Sequence, residues 1–109
     1  MKDIRTTFIL KSLYEIEDNW LDSNQLVKKF YEEHPDKVEI KRLFYIKKNE
    51  KRSEDRLYKK LRGELIADAH SKRNKAFFRF ENQKWNKKYD FIRIILTEEG
   101  KKYYEEHLK

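Results

Sequence analysis

The chain has no cysteine, one proline and two glycines in 109 residues. Without cysteine, a disulfide framework, a thiolate metal site and a cysteine nucleophile are all excluded. With so few breakers the chain is expected to be mostly helix. No stretch approaches the roughly 18 consecutive apolar residues of a membrane span. Residues 1–18 have too short an apolar run and too many acids for a secretory signal. These absences together predict a soluble cytoplasmic protein with no membrane partner. No P-loop, dinucleotide fingerprint or nucleophile motif is present, so no cofactor and no enzymatic activity are expected.

What the chain has in quantity is charge and aromatic rings. Charged residues make up 43% and aromatics 15%. The aromatics argue for one folded domain spanning residues 1–109 rather than a disordered chain. The charge is unevenly placed. Residues 52–93 hold 13 Lys/Arg against 6 Asp/Glu, residues 1–51 hold 11 against 10, and residues 94–109 hold 3 against 4, so the middle stretch carries the whole excess of +7. Concentrated positive charge points to a polyanionic partner more strongly than the same charge spread evenly.

Ile9, Leu13, Ile16 and Trp20 recur at helical spacing and predict a first helix over 3–18 with Phe8 widening the stripe. Asp22 and Ser23 are N-cap candidates, and Gln25 completes a capping box before a second helix from about Asn24 to Glu33. His34-Pro35-Asp36 is expected to stop it. Residues 37–48 read as a short helix capped by Asp36, with a strand as the alternative. Ser53, followed by Glu54 and Asp55, starts a helix reaching about Ser71. Leu57, Leu61 and Leu65 form its inner face. Arg52, Arg56, Lys59, Gly63, Ile66 and His70 form its outer face, and Lys60 adds to its charge. A basic turn over Lys72–Lys75, including Arg73, leads into strands at 76–81 and 89–96. Their period-two pattern sets Phe78 and Phe80 on one face of the first strand, opposite Phe77, Arg79 and Glu81, and Ile92, Ile94 and Leu96 on one face of the second, opposite Phe91, Arg93 and Ile95. The loop between them carries Lys84, Trp85, Lys87 and Lys88. Thr97, with Glu98 and Glu99 behind it, caps a last helix.

Two stretches carry carboxylates that could in principle ligate a metal. Pro35-Asp36 followed by Glu39-Ile40-Lys41 has the letters of the PD-(D/E)xK nuclease signature. The two-residue gap and the local helix start argue against carboxylates converging on Mg²⁺. Glu64, Asp68 and His70 could be drawn as metal ligands, but Lys60 and Lys72 nearby suggest ordinary helical ion pairs. The three histidines show no ligand spacing, so no metal is expected.

The order of elements, ending in Leu96-Thr97-Glu98-Glu99-Gly100-Lys101-Lys102-Tyr103-Tyr104, resembles the winged helix-turn-helix superfamily, whose last wing strand often leads through an LT-x-x-G-x-x-Y segment into a C-terminal helix. Residues 36–52 depart from the family, being too long for its usual turn. The resemblance implies an α+β, mostly helical fold with a two-stranded antiparallel wing and a C-terminal helix. It implies sequence-specific binding of double-stranded DNA by a transcriptional regulator. The recognition helix would lie at about 53–71 and the basic wing at about 76–96. Arg52, Arg56, Lys59 and Lys60 would face the major groove, Arg73 would follow them, and Lys84, Trp85, Lys87 and Lys88 would form the wing tip. Trp85 could stack on nucleic acid or fold back on its hairpin. A homodimer through the N- and C-terminal helices is expected, with Tyr103, Tyr104 and Leu108 as the apolar patch. The alternative is a docking module, or a mobile-element inhibitor, that uses the same scaffold to bind a protein.

Overall fold

The computed structural model describes residues 4–46, 53–82 and 92–109. In chain order the elements are α1 (Ile4–Tyr14), β1 (Trp20–Asp22), α2 (Ser23–Glu33), α3 (Pro35–Ile46), α4 (Ser53–His70), a 3₁₀ turn (Lys72–Asn74), β2 (Phe78–Asn82), β3 (Ile92–Leu96) and α5 (Glu98–His107). The architecture is α+β and predominantly helical. Among the described residues it has five α-helices and a three-stranded antiparallel sheet in the order β1-β3-β2.

The first expectation to be corrected is the N-terminal helix. It ends at Tyr14, not at residue 18, and Trp20 lies in a strand. Asn19 is the cause. It takes a left-handed backbone with φ 57°, a region that Asn tolerates better than most residues. Its side-chain amide donates to the carbonyls of Leu13 and Ile16, both at 3.0 Å, satisfying acceptors that the helix end leaves open. The chain turns there and enters β1. The expected antiparallel pair β2–β3 is present, and β1 adds a third strand to it, pairing with β3 through Trp20↔Ile95, Leu21↔Ile94 and Asp22↔Arg93. The Arg93 guanidinium sits 4.0 Å from the centre of the Trp20 ring, a cross-strand cation–π contact.

Other starts follow their local chemistry. Asp22 caps α2 and the capping box with Gln25 is complete, at 2.8 Å one way and 3.0 Å the other. The 37–48 segment is helical over its described part, but α3 begins at Pro35 and not after a stop at Asp36. Proline's missing N–H costs nothing at a first helical position, and its φ is already helical. His34, between the two helices, packs its ring on Phe30 at 5.2 Å and edge-on to Phe8 at 5.5 Å.

The core joins all the layers. Ile9, Leu10 and Leu13 of α1, Leu26 and Val27 of α2, Leu57, Leu61 and Leu65 of α4 and Ile94 of β3 are almost wholly buried. The β2–β3 register sets Phe78 opposite Leu96 and Phe80 opposite Ile94, which puts the apolar face of the hairpin onto the helices as the alternation predicts.

The C-terminal junction explains its own motif. Thr97 Oγ1 accepts from the Gly100 amide at 3.0 Å and donates to the Ala76 carbonyl at 2.6 Å. A Cβ on Gly100 would come within 2.6 Å of both the Phe77 carbonyl oxygen and a Leu96 methyl. The glycine therefore allows α5 to lie directly on the backbone ahead of β2. The rings expected to form an apolar patch are used within the chain. Tyr104 is buried against Tyr14 with centroids 4.3 Å apart, and Tyr103 packs on Phe77 at 4.7 Å.

Candidate nucleic-acid interface

The basic stretch begins on α4. Leu57, Leu61, Leu65 and Ala69 step by four and are buried, which turns Arg56, Lys59 and Gly63 outward with Lys60 beside them. Arg56, Lys59 and Lys60 are exposed. Lys59 also lies 3.3 Å from Asp55, one turn earlier, an exposed pair of small energetic weight. Gly63 has open space where a Cβ would stand, so no part of the described chain requires glycine there. One expected member of the outer face is placed differently, because Ile66 is partly buried against the core. His70 is exposed and stacks face to face on Phe80 of β2 at 3.7 Å.

The two edges of α4 are tied down. On one, Arg62 donates to Asn24 Oδ1 at 2.9 Å, near Tyr58, whose hydroxyl pKa is pushed up by burial. On the other, Glu64 pairs with Arg5 at 2.7 Å and with Lys41 at 3.1 Å, and Asp68 pairs with Arg5 at 2.7 Å. Cations from α1 and α3 thus engage the two acids from outside their own helix. This ion-pair network links three helices and accounts for both carboxylates. Among the described residues no group of three His, Asp or Glu side chains could hold a metal ion.

Beyond His70 the chain makes its most concentrated basic feature. Asn74 is buried, and its amide donates to Thr6 Oγ1 at 3.2 Å and to the Asp68 carbonyl at 2.8 Å. This anchor fastens the 3₁₀ turn to α1 and α4, leaving Lys72, Arg73 and Lys75 exposed around it. Between this turn, the end of α4 and β2 lies a groove of about 530 Å³. Lys72, Lys75 and Arg79 line it with His70, Phe78 and Phe80, and no described carboxylate does so. Among the described residues none of these three cations has an ion pair. The His70–Phe80 stack supplies a flat aromatic wall. Three cations around a hollow with one aromatic side suit an anion carried on a ring-bearing polymer.

Of the residues singled out from the sequence, Arg56, Lys59, Lys60 and Arg73 are exposed on α4 and the turn after it. Arg52, Lys84, Trp85, Lys87 and Lys88 lie outside the described residues. Sequence reasoning named the Lys72–Lys75 turn as basic but missed Lys72, Lys75 and Arg79 as one site. Its signal was the stretch 69–80, which has four Lys/Arg and no acid. No family model, curated protein or solved structure matches the chain, so the reading of this surface rests on its own geometry.

Proposed function

We propose that the protein binds double-stranded DNA as a winged helix-turn-helix regulator, with α4 as the helix presented to the major groove and β2–β3 as the wing. The observation that carries this reading is the groove of Lys72, Lys75 and Arg79, which no described carboxylate lines. It continues, through His70, the outward stripe of Arg56, Lys59 and Gly63. Single-sign charge in a hollow at the junction of helix and hairpin is what a phosphate backbone needs. The element order and the Thr97–Gly100 junction support the resemblance. The departure is α3, a full helix standing where the family has a turn. Even so, α2 and α4 remain in direct contact through Asn24, Tyr58 and Arg62.

In this reading the lysines supply affinity by neutralising phosphates and releasing counterions. Arg56, on the outward face of α4, is the candidate for taking a guanine edge bidentately. The test is fluorescence anisotropy with a labelled random duplex across a salt series. Wild type should bind at about 50 mM salt and weaken steeply as salt rises. The triple variant Lys72→Ala/Lys75→Ala/Arg79→Ala should flatten the slope of log K against log salt by about 2 to 3. No binding by wild type at that salt would overturn the proposal. An unchanged slope in the variant would move the contact away from this groove.

A docking reading is favoured by one separate observation, an apolar face on α3.

A further inference from the structure

The groove beside the 3₁₀ turn has a feature that a phosphate backbone alone does not use. His70, the last residue of α4, stacks on Phe80 of β2 with ring centres 3.7 Å apart and planes 14° from parallel. Phe80 is partly buried against the core and lies opposite Ile94 in the sheet, so it is a fixed backing. His70 itself is exposed. An imidazole has two faces. Phe80 covers one, and among the described residues no other ring packs on His70 and no carboxylate pairs with it. The second face is therefore a flat, firmly backed platform at the edge of the groove.

The cations stand around this platform. Lys72, Lys75 and Arg79 line the same hollow of about 530 Å³. Residues 83–91, outside the described chain, hold three lysines and one aspartate, so their net charge is positive too. An acidic aliphatic side chain would meet the cations and leave the platform idle. A base inside a duplex has both faces covered by its neighbours and cannot reach a protein ring. A nucleotide whose base is unpaired offers a free ring and, on the same sugar, a phosphate. Three cations exceed the single charge of one phosphodiester, which suits consecutive phosphates along a strand. Exposed Lys59 precedes His70 by about 16 Å of helix, a distance that a strand spans and a free nucleotide does not. The apolar face of α3, where Ile40 and Leu43 are exposed, contributes nothing to this groove.

We infer that the groove holds an unpaired nucleotide of a DNA strand, with its base stacked on the free face of His70 and its phosphates on Lys72, Lys75 and Arg79. The inference rests on the nucleic-acid reading of this groove and sharpens it. The protein then distinguishes a duplex that carries unpaired bases, at an overhang or a junction, from a continuous one. Stacking on an aromatic ring tolerates every base, so the preference is for the state of the strand and not for its sequence.

The test is fluorescence anisotropy on the full chain with labelled probes. These are a blunt duplex, the same duplex with a short thymine overhang, and that overhang with abasic sites in place of its thymines. The two overhangs carry equal charge, so their difference reports the bases alone. Wild type should bind the thymine overhang about fivefold or more tighter than the abasic one. His70→Ala should bring the two overhangs to equal affinity. His70→Tyr should keep the preference, because a phenol ring also stacks. Both variants change an exposed residue, and their far-UV circular dichroism should match wild type. ATP in about hundredfold excess over the duplex should not displace the thymine overhang. Displacement would give the groove to a free nucleotide and overturn the inference. If the blunt duplex binds and wild type does not tell thymine from abasic overhangs, the inference falls while the DNA reading stands. A preference that survives His70→Ala also overturns it, since the base then stacks elsewhere. A thymine preference that needs His70, with no binding of the blunt duplex, would sink the duplex reading and leave this inference standing.

Discussion

The two glycines stand in opposite surroundings. Gly100 is enclosed, with a backbone carbonyl and a methyl where its Cβ would be. Gly63, in the middle of α4, faces open space. The first is a glycine because the fold has no room for anything else. The second has no such reason inside the described chain, and glycine in a helix interior costs about 1 kcal/mol relative to alanine. The contrast separates what the chain needs in order to fold from what its surface keeps open. One end, where α5, Thr97 and the start of β2 meet, is closed by packing and hydrogen bonds. Along the outer face of α4 and into the basic groove, the cations and the bare glycine face outward.

Three substitutions probe that contrast, beginning with the largest effect. Gly100→Ala forces a methyl against the Phe77 carbonyl, and should lower stability by about 1–3 kcal/mol in urea unfolding. No loss would mean that α5 shifts easily and that the end is less tightly closed than its contacts indicate. Asn74→Ala removes the anchor of the 3₁₀ turn, and should cost about 1–2 kcal/mol. In the DNA reading it should also weaken binding measured under conditions where the variant is folded, because Lys72 and Lys75 lose their fixed placement. A stability loss with unchanged affinity would make the turn a purely structural feature. Gly63→Ala should do the reverse of Gly100→Ala, stabilising the protein by about 0.5–1 kcal/mol. If a phosphate backbone approaches α4 at this point, the same variant should bind random duplex DNA several-fold more weakly. A more stable variant with wild-type affinity would show that the glycine is merely tolerated.

What could be read in advance depended on distance along the chain. The Asp22–Gln25 capping box and the Thr97 cap were legible because each closes within four residues. The inner face of α4 and the facing of Phe78, Phe80, Ile94 and Leu96 were legible because period alone determines them. Strand β1 was not. Three residues are too few to show alternation, and Trp20 sits four after Ile16, which imitates a helical stripe. Its partner lies far away in the chain. The engagement of Glu64 by Arg5 and Lys41 was hidden for the same reason. The site was half legible. The sequence shows the cations of 69–80 but not that a buried Asn74 holds their turn, nor that no described carboxylate enters the groove. The apolar face of α3 was obscured by a pattern that fits neither period, because one helix there serves both the core and an open surface.

The order of strands in the sheet has a consequence for how the chain acquires its shape during synthesis. The middle strand, β3, is the last of the three to be made, and Leu21 must wait for Ile94, 73 residues later (94 − 21), before its edge is satisfied. While the chain grows, α1, α2 and α4 can pack on one another but Trp20–Asp22 has no strand to pair with. Pairing of Trp20–Asp22 requires Ile92–Leu96, so a nascent chain halted before residue 92 would leave that edge unpaired beside the helices.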